Sequence, residues 1–424
     1  MPKKSLRNLV AAILGRQVKR LRQRHKMQVV AVTGSIGKTS TKLAIASVLS
    51  QGFNVRYQKG NYNHPVTVPL IFFGQQEPSL FNPFAWLVIF IKNEIKIRKR
   101  FPYEVVVVEL GTDGPGQIAE FKNFLRVDIG LVTAITPEHM EFFADLDAVA
   151  AEELYLGKLS RQLLINSDLA DAKYLKGLDA ETYGIKQPAN FRLTSVKFDG
   201  DEASFDLHAQ GHDSLHSGHQ KITEPQLYSI CAAAAVGYLL KMSPKQIDEG
   251  IRNIPPVSGR MQHLEGAAGS GIIDDTYNAS PVAMLAALDT LYRLSAKKKI
   301  AILGNMNELG HFSAEEHKAI GEYCDPRQLK LVVTIGPDAN AYLATAAKAK
   351  GCQVQTFNDP YSAGQYLRPL LDEDTIVLAK GSQNKVFAEE AVKLLLANPD
   401  DAVKLVRQSP KWLKTKRRNF SVKM

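Results

Sequence analysis

Hydrophobic and polar positions change their period along the chain, and the changes mark the predicted elements. Val29–Val32 is a short apolar run, which a glycine-containing loop and then a helical pattern through Leu49 follow. Strand, loop and helix in this order are typical of the first unit of a parallel α/β sheet. Further buried strands are predicted at 104–110, 128–133 and 163–166. We therefore predict a doubly wound α/β domain of the P-loop type.

A polar, β-rich stretch at 190–222 interrupts this rhythm, an alanine-rich helix at 227–240 resumes it, and a proline-containing linker places a domain boundary near Val257. Strands at 271–274, 299–303, 331–335 and 375–379 then predict a smaller, Rossmann-like α/β domain. The predicted divisions are a basic amphipathic segment at 1–27, a central domain at 28–257 with an apolar and basic insertion at 72–103, a C-terminal domain at 258–407 and a basic tail at 408–424.

Composition and charge narrow the class of protein. With 45% apolar and 23% charged residues, the chain has the composition of a soluble globular protein. Its cysteines, Cys231, Cys324 and Cys352, are too few and too widely spaced for a disulfide framework or a zinc cluster, and they favour a reducing cytoplasm. Residues 1–26 hold nine Lys/Arg and 408–424 hold six, with no acid in either, so the net charge of +10 belongs to the two ends. Such ends favour contact with an anionic surface.

The strongest chemical signal is the phosphate loop, Gly34-Ser35-Ile36-Gly37-Lys38-Thr39, between the predicted first strand and first helix. Backbone N–H groups there would hold nucleotide phosphates, while Lys38 reaches the terminal phosphates and Thr39 holds Mg²⁺. The loop is shorter than the full Walker A pattern, since Val32 stands where another glycine is expected. It is therefore either a variant phosphate-binding loop or a chance match.

The loop and the landmarks after it resemble the Mur ligase family, and the resemblance covers about residues 29–400. The landmarks come in the order of that family. They are Gly60-Asn61-Tyr62-Asn63 with Val68-Pro69-Leu70, Glu109-Leu110-Gly111 with Gly116, Thr136-Pro137-Glu138-His139-Met140-Glu141, Gly259-Arg260-Met261, Asp274-Asp275-Thr276-Tyr277-Asn278-Ala279-Ser280-Pro281 and Leu303-Gly304-Asn305-Met306-Asn307-Glu308-Leu309-Gly310.

The resemblance implies an ATP-dependent, ADP-forming ligase that activates a carboxylate as an acyl phosphate and joins it to an amine. The pattern is closest to the members that add D-alanyl-D-alanine to a UDP-N-acetylmuramoyl tripeptide in peptidoglycan precursor synthesis. ATP and Mg²⁺ are the implied cofactors. We expect a cytoplasmic monomer that acts on small molecules and has no nucleic-acid partner.

The same resemblance assigns roles to single residues. The expected nucleotide contacts are Gly34, Ser35, Ile36, Gly37, Lys38, Thr39, Ser40, Asn61 and Arg260, the last from the second domain as it closes. The expected Mg²⁺ ligands are Thr39, Glu109, His139 and Glu153. The expected catalytic residues are Lys38, Glu109, His139, Asp275 and Asn278, of which the last two orient the amine. Simpler interpretations remain open: Glu109 as a solvated strand-end acid, His139 as a loop histidine, and Asp275 and Asn278 as turn residues.

One metal ligand departs from the family pattern. Many Mur ligases carry a carbamylated lysine about fourteen residues after the metal-binding histidine, and here that place falls on Glu153. A glutamate supplies a carboxylate directly, so Glu153 is expected to replace the modified lysine without CO₂. The alternatives are Lys158 as the modified lysine, Glu152 as the ligand, or Glu153 on a solvated helix face.

Other departures concern substrate recognition. Gln226 and Ile230 stand near the places of the family's nucleotide-contacting His and Asn, Asn305 replaces a usual aspartate, and 383–385 departs from the usual sequence. Only about 28 residues precede the phosphate loop strand, so we expect the family's separate N-terminal domain, which grips the uridine nucleotide, to be absent. Recognition of a UDP-linked substrate is therefore expected to come from elsewhere, or the acceptor differs.

Three other functions agree less well with the sequence. A different amide ligase of the superfamily, including one with a lipid-linked acceptor, is disfavoured by the segments 275–281 and 303–310. A decayed ATP-binding scaffold is disfavoured by the presence of Lys38, Thr39, Glu109 and His139. Nucleic-acid binding by the basic ends is weaker still, because no aromatic and basic recognition module accompanies them.

The insertion contains the apolar run Phe84–Ile91, which is too short to span a bilayer and is followed by a basic run through Arg100. It is either a packed helix with a basic exposed end or an in-plane contact with an anionic membrane through 84–100 and the basic termini. The second interpretation would place the enzyme at the inner face of the membrane.

Overall fold

The structure, a computed structural model, describes residues 3–58, 60, 62–199 and 202–420. The chain divides into two compact units. The first contains Met1–Thr136 and Phe142–Pro255, and the second contains Pro137–Glu141 and Pro256–Met424. The short segment Pro137–Glu141 thus makes its contacts within the second unit.

The first unit contains one nine-stranded sheet, whose centre consists of continuous apolar runs. Its strands are β1 (Gln28–Thr33), β2 (Val55–Arg56), β3 (Val105–Glu109), β4 (Val127–Val132), β5 (Ser160–Asn166), β6 (Glu181–Gly184), β7 (Phe191–Asp199), β8 (Glu202–Ala209) and β9 (Leu215–Lys221). Their order is β2-β3-β1-β4-β5-β6-β7-β8-β9, parallel from β2 to β7 and antiparallel beyond. Val-rich β1 and β3 are buried on both faces, which is what parallel strands between helical layers require.

Helices surround the parallel part of this sheet. They are α1 (Lys3–Arg24), α2 (Lys38–Leu49), α3 (Thr67–Phe73), α4 (Pro83–Arg98), α5 (Gln117–Glu120), α6 (Leu146–Leu154), α7 (Leu156–Leu159), α8 (Ala172–Leu175), α9 (Glu224–Leu239) and α10 (Pro244–Arg252). Alanine-rich α9 packs on α2, and its small side chains allow close approach of the two helices. One core on this side of the sheet contains Ile45, Leu131 and Ala233, and a second core lies on the other side, around Val106 and Phe121.

The basic N-terminal segment forms α1, and its apolar stripe is buried inside the first unit. Val10, Leu14, Val18 and Leu21 are each at most 3% exposed, at spacings of three and four residues that place them on one helix face. Gln17 joins this helix to α4, since its side-chain amide donates to the backbone oxygen of Phe90 at 2.9 Å. Only the basic face of α1 is therefore available to a partner.

The second unit contains a six-stranded sheet. Its strands are β10 (Gln262–Glu265), β11 (Gly271–Asp275), β12 (Lys298–Gly304), β13 (Leu331–Ile335), β14 (Val354–Phe357) and β15 (Thr375–Lys380). The order is β10-β11-β15-β12-β13-β14, and all neighbours are parallel except the edge pair β10 and β11. The helices are α11 (Pro281–Arg293), α12 (Ser313–Tyr323), α13 (Ala344–Ala349), α14 (Pro360–Leu367), α15 (Glu389–Leu395) and α16 (Pro410–Phe420). The predicted fold class, a doubly wound α/β domain followed by a smaller Rossmann-like domain, is confirmed.

The basic C-terminal tail forms α16, which is anchored by ion pairs in the interior of the second unit. The ammonium group of Lys416 is fully buried and lies 2.8 Å from a carboxylate oxygen of Glu389 and 2.7 Å from one of Glu390. Trp412 and Phe420 of the same helix meet the ring of Phe387 edge to face. A buried charge is tolerated only when it is paired, so Lys416 belongs to the core of the unit and not to a basic surface.

Candidate functional site

Two glycines give the phosphate loop its shape. Gly37 precedes α2 with a φ of 82°, and Gly34 has a φ of 124°. Residues other than glycine rarely adopt φ values in this range. A Cβ atom on Gly34 would also lie 2.3 Å from Thr133 Oγ1 and 2.8 Å from the backbone nitrogen of Ala134. Glycine at position 34 is therefore required by both conformation and space.

The end of β4 holds the loop in place. The backbone N–H of Ser35 donates to the carbonyl of Ala134 at 3.0 Å, and the Ser35 hydroxyl accepts from the N–H of Thr136 at 2.9 Å. The hydroxyl of Thr133 donates to the carbonyl of Ile36 at 2.5 Å. These contacts hold the loop against the end of β4.

Lys38 folds back over this loop. Its ammonium group donates to the carbonyl of Gly34 and, at 3.2 Å, to that of Ser35. The half-buried Ser40 follows in the first turn of α2. An ammonium group held over a glycine loop at a helix N-terminus is suited to a multiply charged anion such as a nucleotide phosphate.

Glu109 ends β3 at the carboxyl edge of the sheet, and it is 3% exposed. Its carboxylate accepts from the hydroxyl of Thr39 at 3.1 Å and forms an ion pair with Lys42 Nζ at 3.0 Å. Lys42 also donates to the carbonyl of Gly60 at 3.2 Å and is 1% exposed. The carboxylate is thus buried, charged and compensated, and it is not a solvated strand-end acid.

Lys42 is a site residue that sequence reasoning missed. It lies one helical turn after Lys38 and one turn before Ile45 and Ala46, where α2 is apolar and buried. A lysine at a position where the helical pattern requires an apolar residue indicates a buried anionic partner. That signal was present in the sequence, although the partner, 67 residues further on, was not identifiable from it.

Glu153 and its two rivals occupy different environments. Glu153 is 2% exposed and accepts from the hydroxyl of Thr33, the last residue of β1, at 2.5 Å. The carboxylate of Glu152 accepts from the N–H groups of Gly116 and Ile118, both at 2.6 Å, and so serves the start of α5. Lys158 is exposed, with its ammonium 5.0 Å from the ring centre of Tyr155. Of the three candidates, Glu153 is the one that contacts the end of β1, next to the phosphate loop.

His139 has its contacts in the second unit. Its φ is 55°, and its Nδ1 lies 2.6 Å from a carboxylate oxygen of Glu308 in the segment 303–310. Hydrogen bonding to His139 lowers the pKa of Glu308. The structure therefore joins two of the sequence landmarks, 136–141 and 303–310, through this contact. Asn61, an expected nucleotide contact, lies outside the described residues.

In the second unit, Asp275 and Asn278 are connected through Lys380. The ammonium group of Lys380 lies 2.6 Å from Asp275 Oδ2 and donates to the backbone carbonyl of Asn278 at 3.0 Å. The other oxygen of Asp275 accepts from the N–H of Met261 at 3.1 Å. Lys380 ends β15, the neighbour of β11. Two adjacent parallel strands therefore place a carboxylate and an ammonium group at the same carboxyl edge of the sheet.

Arg260 lies against Tyr277, with the guanidinium carbon 4.1 Å from the ring centre. Its buried Nε has no hydrogen-bond partner in the described part of the chain, which leaves a directed donor for an anion. Arg407 supports the same loop, donating to the carbonyls of Tyr277 at 2.9 Å and Thr276 at 2.6 Å while it pairs with the buried Glu389. Arg407 was missed by sequence reasoning, since it lies 130 residues from the loop that it holds.

Several residues at the departures from the family pattern have structural partners. The side chain of Gln226 accepts from the N–H of Thr223 at 2.8 Å in a capping box that begins α9, and Ile230 is buried in the core. Asn305 accepts from the N–H of Ala339 at 2.9 Å. These contacts explain why the three residues are tolerated, and they assign none of them to a ligand.

The oxygen atoms at the phosphate loop fit Mg²⁺ bound with a nucleotide. Mg²⁺ prefers oxygen ligands, and proteins commonly supply it with one or two carboxylates while water and phosphates complete the shell. Thr39 and Glu109 are in contact, and Glu153 contacts Thr33 at the end of β1, so hydroxyl and carboxylate groups occur at the carboxyl ends of the neighbouring strands β1 and β3. No cluster of three or more acidic, histidine or cysteine residues occurs among the described residues, so any metal here depends on such additional ligands.

Comparisons with known proteins point to one family. The Mur ligase middle domain matches residues 89–237, and the glutamate ligase domain of Mur ligases matches 259–383. A UDP-N-acetylmuramoyl-tripeptide--D-alanyl-D-alanine ligase from Synechocystis sp. is 28% identical over 389 residues, which are 89% of this chain and 77% of that protein. The protein of the same name from Escherichia coli is 26% identical over 393 residues, 89% of this chain and 79% of its own.

A solved structure shares the fold. The crystal structure of MurF from Acinetobacter baumannii aligns with a TM-score of 0.74 at 23% identity, covering 90% of this chain and 79% of that one. At 23% identity, this similarity shows a shared fold only. The two matched domains together account for more than half of the chain.

The buried Asp274 makes the stability of the second unit depend on pH. Burial raises the pKa of Asp274 to about 6, although hydrogen bonds from Thr276 oppose the rise. This pKa lies above the value of about 3.9 for an aspartate in an unfolded chain. The protonated Asp274 therefore contributes fully to the free energy of unfolding below pH ~4, and this contribution is lost as the pH rises through 6. Asp274→Asn removes the ionisation. We predict that the free energy of unfolding of Asp274→Asn, relative to that of the parent, rises by about 1–2 kcal/mol between pH 5 and pH 8.

The measurement is urea unfolding at the two pH values, followed by the fluorescence of Trp412 in a Trp86→Phe background. The exposed Asp400 of the same unit supplies the control substitution, Asp400→Asn, which makes the same chemical change at the surface and is measured under the same conditions. An Asp274→Asn advantage that is constant with pH would show that this carboxyl group ionises normally.

Proposed function

The chain belongs to the Mur ligase family, and from this premise we propose that it is an ATP-dependent, ADP-forming ligase that adds D-alanyl-D-alanine to a UDP-N-acetylmuramoyl tripeptide. The observation that carries the proposal is the glycine loop held against β4, with Thr39 and Glu109 in contact at its end. The names of the most similar relatives support this choice of substrates. The product would be a precursor of peptidoglycan.

The first half of the reaction uses the phosphate loop. Gly34–Thr39 and Ser40 would bind the phosphates of ATP, and Lys38 would exchange the carbonyls of Gly34 and Ser35 for the terminal phosphates. Thr39, Glu109, His139 and Glu153 would hold Mg²⁺, which supplies positive charge at the reacting phosphate when it is bound. An oxygen of the tripeptide carboxylate forms a bond to the γ-phosphorus as the bond to ADP breaks, and an acyl phosphate results.

The second half joins the amine. The amine nitrogen forms a bond to the acyl carbon, phosphate leaves with the electrons of the broken C–O bond, and the amine loses a proton. Asp275, fixed by Lys380 and the N–H of Met261, provides an anionic group for the ammonium form of the dipeptide, and Asn278 orients it. Arg260 would contact the nucleotide through its free Nε.

The proposed setting follows from these substrates. ATP and nucleotide-linked sugars are cytoplasmic small molecules, so we propose a cytoplasmic enzyme that functions as a monomer and has no nucleic-acid partner. All of its cysteines, Cys231, Cys324 and Cys352, are buried and free, which suits a reducing compartment. Peripheral contact with the inner face of the membrane through 84–100 is a separate proposal.

Phosphate release from ATP tests the function. With Mg²⁺, release should require both a UDP-muramoyl tripeptide and D-alanyl-D-alanine, and Lys38→Ala should lower it by about a hundredfold or more, because charge at the transferred phosphate goes uncompensated. A panel of UDP-muramoyl peptides is the comparison. Release with another pair, or with a lipid-linked acceptor, would reassign the substrate, and no release with any pair would favour a nucleotide-binding scaffold.

Glu153 provides a test of the metal site. We expect Glu153→Ala to lower Mg²⁺-dependent turnover about 10- to 100-fold, because a ligand of the cation is lost, and to raise the Mg²⁺ concentration needed for half-maximal rate. Lys158→Ala is the control and should stay within about twofold of the parent, and depletion of CO₂ should have no effect on the parent. Full turnover by Glu153→Ala together with loss of turnover in Lys158→Ala would show that a carbamylated Lys158 is the ligand.

A further inference from the structure

The helix α4 presents an apolar face to solvent. Phe84 is 78% exposed, and Leu87, Val88, Ile91 and Ile95 are each about half exposed. Their spacings of three and four residues place them along one side of the helix, here called the apolar face. Monomeric soluble proteins rarely expose contiguous apolar patches larger than a few hundred Å², and a larger patch with a polar rim marks an interaction site.

The opposite side of α4 holds it firmly in the first unit, so the exposure of the apolar face is a fixed property of the fold. Trp86, Ile89 and Ile97 are buried in apolar clusters, Trp86 and Ile89 beside residues of α1. Asn93 is fully buried and donates to the side-chain oxygen of Gln17 at 2.9 Å. A rotation that hid the apolar face would break these contacts.

The charged residues around the apolar face are mostly basic. Exposed Lys92, Arg98, Lys99 and Arg100 surround the C-terminal end of α4, and the outer side of α1, packed beside it, adds exposed basic residues but no acid. Among residues 74–100 the acids are Glu77 and Glu94, and Glu94 is already paired with Arg20 at 2.6 Å. A second copy of this chain would bring like charges together, whereas an anionic partner is attracted.

A cleft opens beside the same face. It has a volume of about 600 Å³ and lies between the residues that follow α3 and the start of α4. Its lining combines the amide side chains of Gln75, Gln76 and Asn82 with the apolar side chains of Phe84 and Val88. A lining with both kinds of group suits the boundary between lipid headgroups and acyl chains, where polar and apolar atoms meet.

We propose that the apolar face of α4 docks on an anionic phospholipid bilayer, with its side chains entering the interface and the basic residues of α1 and α4 meeting the headgroups. None of the helices in the described ranges is long and apolar enough to cross a bilayer. Because the apolar face runs along the side of α4, the contact is parallel to the membrane plane, as for an amphipathic interfacial helix. The buried Lys416 takes no part in it, which distinguishes this surface from the C-terminal tail. The proposal is independent of the ligase reaction.

Co-sedimentation of the full chain with vesicles tests the proposal at about 0.15 M salt, where charges are screened beyond ~8 Å. The protein should sediment with phosphatidylcholine vesicles that contain phosphatidylglycerol and not with phosphatidylcholine alone. Leu87→Ser/Ile91→Ser should lower the bound fraction at least about fivefold, because apolar contact is lost. Lys92→Gln/Lys99→Gln should weaken binding, and its remaining binding should be less sensitive to salt.

Val403→Ser is the matched control, since Val403 is an apolar residue of the second unit that is 83% exposed, and it should leave sedimentation unchanged. In a Phe84→Trp variant, brominated phospholipid should quench the new tryptophan. Absence of binding to the anionic vesicles, or equal binding by Leu87→Ser/Ile91→Ser, overturns the proposal. A dimer in light scattering that Leu87→Ser/Ile91→Ser dissociates, without vesicle binding, would also overturn it and make a second copy the partner.

Discussion

The buried carboxylate of Glu109 is the constraint on which the first unit depends. An ionised carboxylate at the end of an apolar strand is costly unless a cation or hydrogen-bond donors compensate it. Thr39 and Lys42 supply that compensation from α2, and β3 itself is paired in register with β1. The same contacts fix where α2 begins, and hence where the phosphate loop lies relative to the sheet. The proposed site for Mg²⁺ and phosphates thus lies where this one buried acid is compensated.

The second unit also contains buried carboxylates that basic side chains compensate. Asp275 is compensated by Lys380 at the carboxyl edge of its sheet, and the buried Glu389 is compensated by Arg407 and Lys416. Because Arg407 also donates to the carbonyls of the loop after β11, the ion pairs of the C-terminal region hold the loop proposed to bind the amine. Removing one partner of such a buried pair is expected to cost about 3–5 kcal/mol, since the other charge is left unpaired.

Much of this architecture was predictable because it depends on local pattern. Apolar runs at β1 and β3, the glycines of the phosphate loop and the alanine-rich α9 each have a period or a backbone requirement that the sequence displays. The partners of Glu109, Asp275 and Glu389 were not predictable, since each ion pair joins residues 18 to 105 positions apart. For α1 the periodicity was correct, but periodicity alone does not distinguish a stripe that faces lipid from one that packs on α4.

The central claim is that this chain activates a carboxylate by transferring phosphate to it. Isotope transfer tests it most directly: UDP-muramoyl tripeptide with ¹⁸O in the reacting carboxylate is turned over with ATP and D-alanyl-D-alanine, and the released phosphate is analysed by mass spectrometry. An acyl phosphate predicts that one ¹⁸O atom of the carboxylate appears in each phosphate, because the bond that breaks in the second step is the carbonyl C–O bond. Released phosphate without ¹⁸O, during turnover to the amide, would contradict the account.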